Sequence, residues 1–172
     1  MAVWRYHDHM HMKKPDAIYE GLLHKLGWKA YQWPNLPHAY TIPQTTVAEL
    51  CGFFKETLGM STIQIVGDPA LACTRVGILV GGGSLGLGRE QMPMELMHSA
   101  DLQVMVCGDI TEWTLSAYVN DAAQLGLPRA MIVLGHERSE EAGMEHMARW
   151  LPALVPGVPV HFVDACEPFL YL

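Results

Sequence analysis

His136 and Glu140, in the run Gly135-His136-Glu137-Arg138-Ser139-Glu140-Glu141, set an imidazole and a carboxylate four residues apart. Side chains at i and i+4 share one face of a helix, so this pair can grip a divalent cation. The same spacing also fits a solvated first helical turn, where the helix dipole favours acids. A second cluster stands near the start of the chain, in Tyr6-His7-Asp8-His9-Met10-His11. Read as a strand, it turns His7, His9 and His11 to one face and Asp8 to the other. Three imidazoles on one face are costly to bury without partners. A metal site completed by His136 and Glu140 would satisfy them. Mixed imidazole and carboxylate ligation suits zinc, iron, manganese or nickel. Cys51, Cys73, Cys107 and Cys166 form no CxxC pair, which leaves a Cys-rich structural zinc site without ligands.

The apolar run 130–134 immediately precedes His136, so the pair sits where a strand hands over to a helix, the place where α/β proteins build sites. Similar runs rich in β-branched residues occur at 3–6, 62–66, 75–80, 102–107 and 158–163. Between them, apolar spacing predicts helices at 16–26, 46–58, 89–98 (with Pro93 as an irregularity), 111–125 and 139–154. Alternating strands and helices predict an α/β fold with a mostly parallel or mixed sheet flanked by helices. Thr46-Val47-Ala48-Glu49 has the form of a capping box. Residues 28–43 are crowded with aromatics and prolines and read as a hairpin arm or an irregular loop.

Gly81-Gly82-Gly83-Ser84-Leu85-Gly86 satisfies G-x-G-x-x-G after a predicted strand, with Asp109 close to the distance at which a dinucleotide site places its acid. The glycines continue through Gly88, however, and Pro93 interrupts the helix that should follow. A tight turn with backbone amides facing the site is the competing reading. Asp109 follows the end of another strand, where it is a substrate contact, a general base or a helix cap. Glu137, beside His136, is the other general-base candidate. His98, His146 and His161 have no partners at ligand spacing.

The chain has 172 residues, half of them hydrophobic, enough to bury the core of one ordinary domain spanning 1–172. Only 17% are charged, which points to surface covered by another subunit. A net charge of −7 and the lack of any basic stripe argue against nucleic acid as a partner. No apolar run approaches membrane-spanning length and no signal-peptide pattern opens the chain, so the expectation is a cytoplasmic protein with reduced, buried cysteines.

The Val66-Gly67-Asp68 run, the stretch from Arg75 to Ser84, Ala100-Asp101, Gly108-Asp109 and above all G-H-x-x-S-E at Gly135 to Glu140 resemble the C-terminal half of the NIF-three-like family. These are dinuclear-metal hexameric proteins, some of them GTP cyclohydrolase type 2-like. The resemblance implies metal ligation by His136 and Glu140, and maps the family's H-x-x-x-D segment onto His7 and His11, with His11 in the aspartate position. Trp113 replaces a histidine usual in the family. The resemblance also implies one or two divalent metals per subunit, a hexamer, and an N-terminal half with further ligands that this chain lacks. Together these readings lead to a metal-dependent hydrolase of a nucleotide or another small molecule, with a non-catalytic metal-handling or scaffold protein as the alternative.

Overall fold

A computed structural model describes residues 1–171. Six strands form one mixed sheet: β1 (Gln32–Trp33), β2 (Leu36–Thr46), β3 (Gln64–Val66), β4 (Ala72–Leu79), β5 (Val104–Cys107) and β6 (Ala130–Val133), in the order β1-β2-β4-β5-β6-β3. β4, β5 and β6 are parallel, whereas β2 against β4 and β3 against β6 are antiparallel. The fold is α/β, as the alternating pattern predicts.

The parallel strands are buried on both faces. Val76, Ile78, Val104, Val106, Ala130 and Ile132 pack on one side, and Leu79, Met105, Cys107 and Met131 on the other. The first side is covered by α2 (Ala17–Leu26), α3 (Val47–Leu58) and α6 (His136–Trp150), the second by α4 (Met92–Ser99) and α5 (Ala117–Gln124). Thr46 and Glu49 close the predicted capping box at the start of α3. Pro93 lies in the first turn of α4, where its missing N–H costs nothing. The expected helix 111–125 is broken at Thr114, with φ −108° and ψ −112°, so a π-type turn over Glu112–Ser116 precedes α5.

Residues 28–43 contribute a hairpin at the sheet edge, where Gln32 opposes Tyr40. The opening of the chain departs from expectation. Residues 3–6 form no strand, and His7–Met12 is a short helix, α1, in which Met10 is buried. Residues 158–163 also stay out of the sheet, and Val158 and Val163 remain exposed. Cys73 and Cys107 are buried as expected, but Cys51 is only partly covered and Cys166 is exposed.

One contact sets how deeply the helical layer closes. A Cβ on Gly21 of α2 would lie 2.5 Å from the Cα of Gly143 in α6, and one on Gly143 would lie 2.5 Å from the Cα of Ile18. Two glycines thus let α2 and α6 touch backbone to backbone.

Candidate metal centre

Glu140 lies in the second turn of α6, its side chain only 9% exposed. Three imidazoles turn Nε2 towards its carboxylate. His7 Nε2 is 2.6 Å from Oε2, His11 Nε2 is 3.3 Å from Oε1, and His136 Nε2 is 3.3 Å from Oε2. One potential ligand atom from each of His7, His11 and Glu140 falls within 4.8 Å of the others. The helix α1 explains this grouping: residues 7 and 11 are one turn apart, so both rings leave the same face. His9 leaves the other side and stacks on Tyr6, with centroids 5.1 Å apart, so the three-histidine face of a strand is replaced by a two-histidine face of a helix.

Each of the three rings has an aspartate at its far nitrogen. Asp8 Oδ1 is 3.3 Å from Nδ1 of His7, Asp16 Oδ2 is 2.9 Å from Nδ1 of His11, and Asp109 Oδ2 is 2.7 Å from Nδ1 of His136. A carboxylate at Nδ1 places a proton there and leaves the Nε2 lone pair for a cation, the arrangement in which metal-binding histidines are usually held. Asp16 does this while its other oxygen accepts the backbone N–H groups of Ile18 and Tyr19 as the N-cap of α2. Neither Asp8 nor Asp16 stood out in the sequence as part of the site. Asp16 carried a visible signal only as a helix cap.

Charge shifts follow from this packing. His11 is pushed up to about 10, by its hydrogen bond to Asp16 first and by Glu140 next. At His136 burial opposes the charged ring, but Asp109 and Glu140 outweigh it and the pKa is raised. Burial would lift Glu140, yet the hydrogen bonds from His11 and His7 prevail and hold it below the usual range.

The backbone under the carboxylate is glycine by necessity. Gly81 has φ +49°, and a Cβ there would lie 1.8 Å from Glu140 Oε1 and 2.9 Å from His136 Nε2. Its N–H donates to Ser139 Oγ at 2.9 Å, and that hydroxyl donates to the carbonyl of His136. Ser139 therefore ties the glycine turn to α6, a role signalled beforehand only by its place in G-H-x-x-S-E. The turn continues as a 3-10 segment, Gly81–Leu85, rather than opening a helix as a dinucleotide fingerprint does.

Glu137 points away from the three imidazoles, towards Arg138, Glu141 and Asp164. Both its oxygens are buried without a hydrogen-bond partner, and burial pushes its pKa up to about 7. A cavity of about 570 Å³ opens beside His136, Asp109 and Glu137, at the C-terminal ends of β5 and β6. A smaller one, about 390 Å³, lies beside His7 and Glu140 and is also lined by His161. His146 lies apart from the cluster, its ring 4.9 Å from that of His24.

These residues fit a divalent cation. The donors are of the right kind, their far nitrogens are held, and the space beneath them is kept clear by Gly81.

A sequence model of the Duf34/NIF3 (NGG1p interacting factor 3) family matches residues 34–168. The chain belongs to that family. Asp109, His136 and Glu140 lie inside the matched region, whereas His7, His11 and Asp16 precede it. Among solved structures the fold resembles a Bacillus cereus protein related to NIF3 (TM-score 0.58, 16% identity, 78% of this chain and 35% of that one). It also resembles a Staphylococcus aureus hypothetical protein (0.54, 19%, 78% and 42%) and a Thermus thermophilus protein (0.54, 18%, 86% and 54%). The chain thus spans about half or less of the length of these solved structures. A search of curated proteins gives no match.

Proposed function

We propose that this NIF3-family chain is a metal-dependent hydrolase of a small molecule, with a cation held by His7, His11, His136 and Glu140. One observation carries the reading: a buried carboxylate is met by three imidazole Nε2 atoms, and each ring is backed by an aspartate. A divalent cation in that position lowers the pKa of water towards neutrality and polarises a substrate oxygen. The chain's own part is to orient the rings through Asp8, Asp16 and Asp109, and to hold a proton at Glu137. Glu137 lines the 570 Å³ cavity and is the general-base candidate there, once its carboxyl turns from Arg138 and Glu141 towards the cavity. Asp109 is bound to His136, which fits it for positioning that ring as well as for proton transfer. The family resemblance makes a nucleotide one substrate class under this reading, and another small molecule the other.

Self-association, as a hexamer, belongs to the same proposal and is supported by exposed apolar residues such as Trp4, Leu87, Trp113 and Leu125. A cytoplasmic setting is proposed with it. No helix among the described residues is long and apolar enough to cross a membrane.

The alternative, a metal-handling or scaffold protein without turnover, is favoured by the close covering of Glu140, which leaves His136 as the most open ring of the three. Elemental analysis of purified protein followed by hydrolysis assays on metal-loaded samples separates the two. The hydrolase reading expects metal and turnover, with His136→Ala losing both and Glu137→Gln keeping the metal but losing turnover. Metal without turnover of any compound assayed selects the second reading. Unchanged metal content in His136→Ala ends both.

A further inference from the structure

The larger cavity has a marked charge pattern. Of its lining residues only Arg138 is a permanent cation, and it is already engaged: Nη1 lies 2.5 Å from Glu141 and 3.7 Å from Asp164, and Nε lies 3.4 Å from Glu137. Three carboxylates, Asp109, Glu137 and Glu167, line the same space. With no cation bound at the neighbouring metal centre, a polyphosphate entering it would meet these carboxylates and the His136 ring, already bonded to Asp109, without a free ammonium or guanidinium to receive it, within a chain whose net charge is already −7.

Much of the remaining lining is apolar, including Met60, Ile110 and Leu134. Phe169 and Tyr171 add two aromatic rings, the Tyr171 hydroxyl donating to Glu167. Phe169 is 71% exposed and Tyr171 45% exposed, so both offer ring surface that the protein itself leaves uncovered. Thr62 and Gln64 add a hydroxyl and an amide to the lining, groups that both donate and accept hydrogen bonds. A volume near 570 Å³ falls within the range of small-molecule sites.

We infer that this cavity binds a flat, uncharged or cationic heterocycle, of the size of a nucleobase or nucleoside, and that its walls, with no cation bound beside them, reject the polyphosphorylated form. The inference narrows the substrate class of the hydrolase reading and rests on that reading for any chemistry after binding, but binding itself depends only on the cavity walls.

Titration of the full-length, chelator-treated protein with inosine and with inosine 5′-triphosphate, monitored by calorimetry or ligand-observed NMR, tests this. Inosine is expected to bind at least about tenfold more tightly than the triphosphate, a difference of roughly 1.4 kcal/mol. Thr62→Trp, which adds a bulky ring to the lining, is expected to abolish binding. Phe169→Ala, at a side chain too exposed to support the fold, is expected to weaken it several-fold. Equal or tighter binding of the triphosphate overturns the ligand class. Absence of binding by both compounds, or inosine binding that survives both substitutions unchanged, overturns the site. Glu140→Gln separates this from the metal reading: it is expected to lose metal and keep inosine. Loss of inosine binding in that variant shows that the walls alone do not hold the ligand and refutes the inference, whatever the metal content of the parent protein.

Discussion

A carboxylate as covered as that of Glu140 persists as an anion only because positive or hydrogen-bonding partners surround it. His7, His11 and His136 fill that role, and the aspartates behind them decide how each ring is turned. Asp16 is the most informative of these, since it serves His11 with one oxygen and the start of α2 with the other. Asp16→Asn keeps a good helix cap but replaces the carboxylate at Nδ1 with an amide. Its metal affinity is expected to fall about 10- to 100-fold with little loss of stability, measured by competition with a chromophoric chelator. Unchanged affinity would reduce Asp16 to a cap. The pair His136 and Glu140 was legible in the sequence because both members lie on one continuous helix. The partnership of each ring with an aspartate was not: Asp109 was a candidate in its own right, but it meets His136 from 27 residues away, and Asp16 meets His11 only through the way α1 turns into α2.

The helix α1 shows why a correct grouping can come from a wrong element. Residues 7 and 11 share a face at a period of 2 and nearly so at a period of 3.6, so a six-residue segment leaves the choice open. His9 is the residue that distinguishes them, and its stacking on Tyr6 records the helical answer. The strands β4, β5 and β6 were easier, since buried parallel strands read as continuous apolar runs. Residues 158–163 are apolar in the same way, but Pro159 lacks the N–H that a strand would contribute there. The contact between α2 and α6 was invisible in advance, because nothing in a single sequence marks a helical glycine as a point of contact. Gly143→Ala is expected to destabilise the protein by about 1–3 kcal/mol, as the new Cβ meets the backbone of Ile18. Gly52→Ala, in α3 with nothing within 4 Å, is expected to stabilise by roughly 0.5–1 kcal/mol through helix propensity. Urea denaturation of both variants checks the pair, and a stable Gly143→Ala protein would show that the helices can separate freely.

Across the whole molecule, the two ends of the parallel strands carry different duties. The candidate metal centre and the larger cavity lie towards the C-terminal ends. Near the N-terminal ends Asp101 joins Arg129 at 2.7 Å and Arg75 at 2.7 Å, tying together the segments that lead into β4, β5 and β6. The hydrogen bond from Arg129, and then the charge of Arg75, hold the Asp101 carboxyl below its ordinary value of 3.8. A depressed carboxylate contributes stability above its unfolded pKa and loses it as pH falls through the folded one. Asp101→Asn is therefore expected to melt below the parent at pH 7, with the gap closing beneath about pH 4. Thermal melts across that range check the sign; a constant gap would assign the effect to packing. At the opposite end, the bond between His7 and Glu140 spans 133 residues of chain. A cation shared by those two side chains would act as a reversible cross-link across most of the polypeptide, anchoring a six-residue helix too short to persist alone. Metal availability would then govern not only chemistry at the centre but whether the first dozen residues are docked or open to a protease.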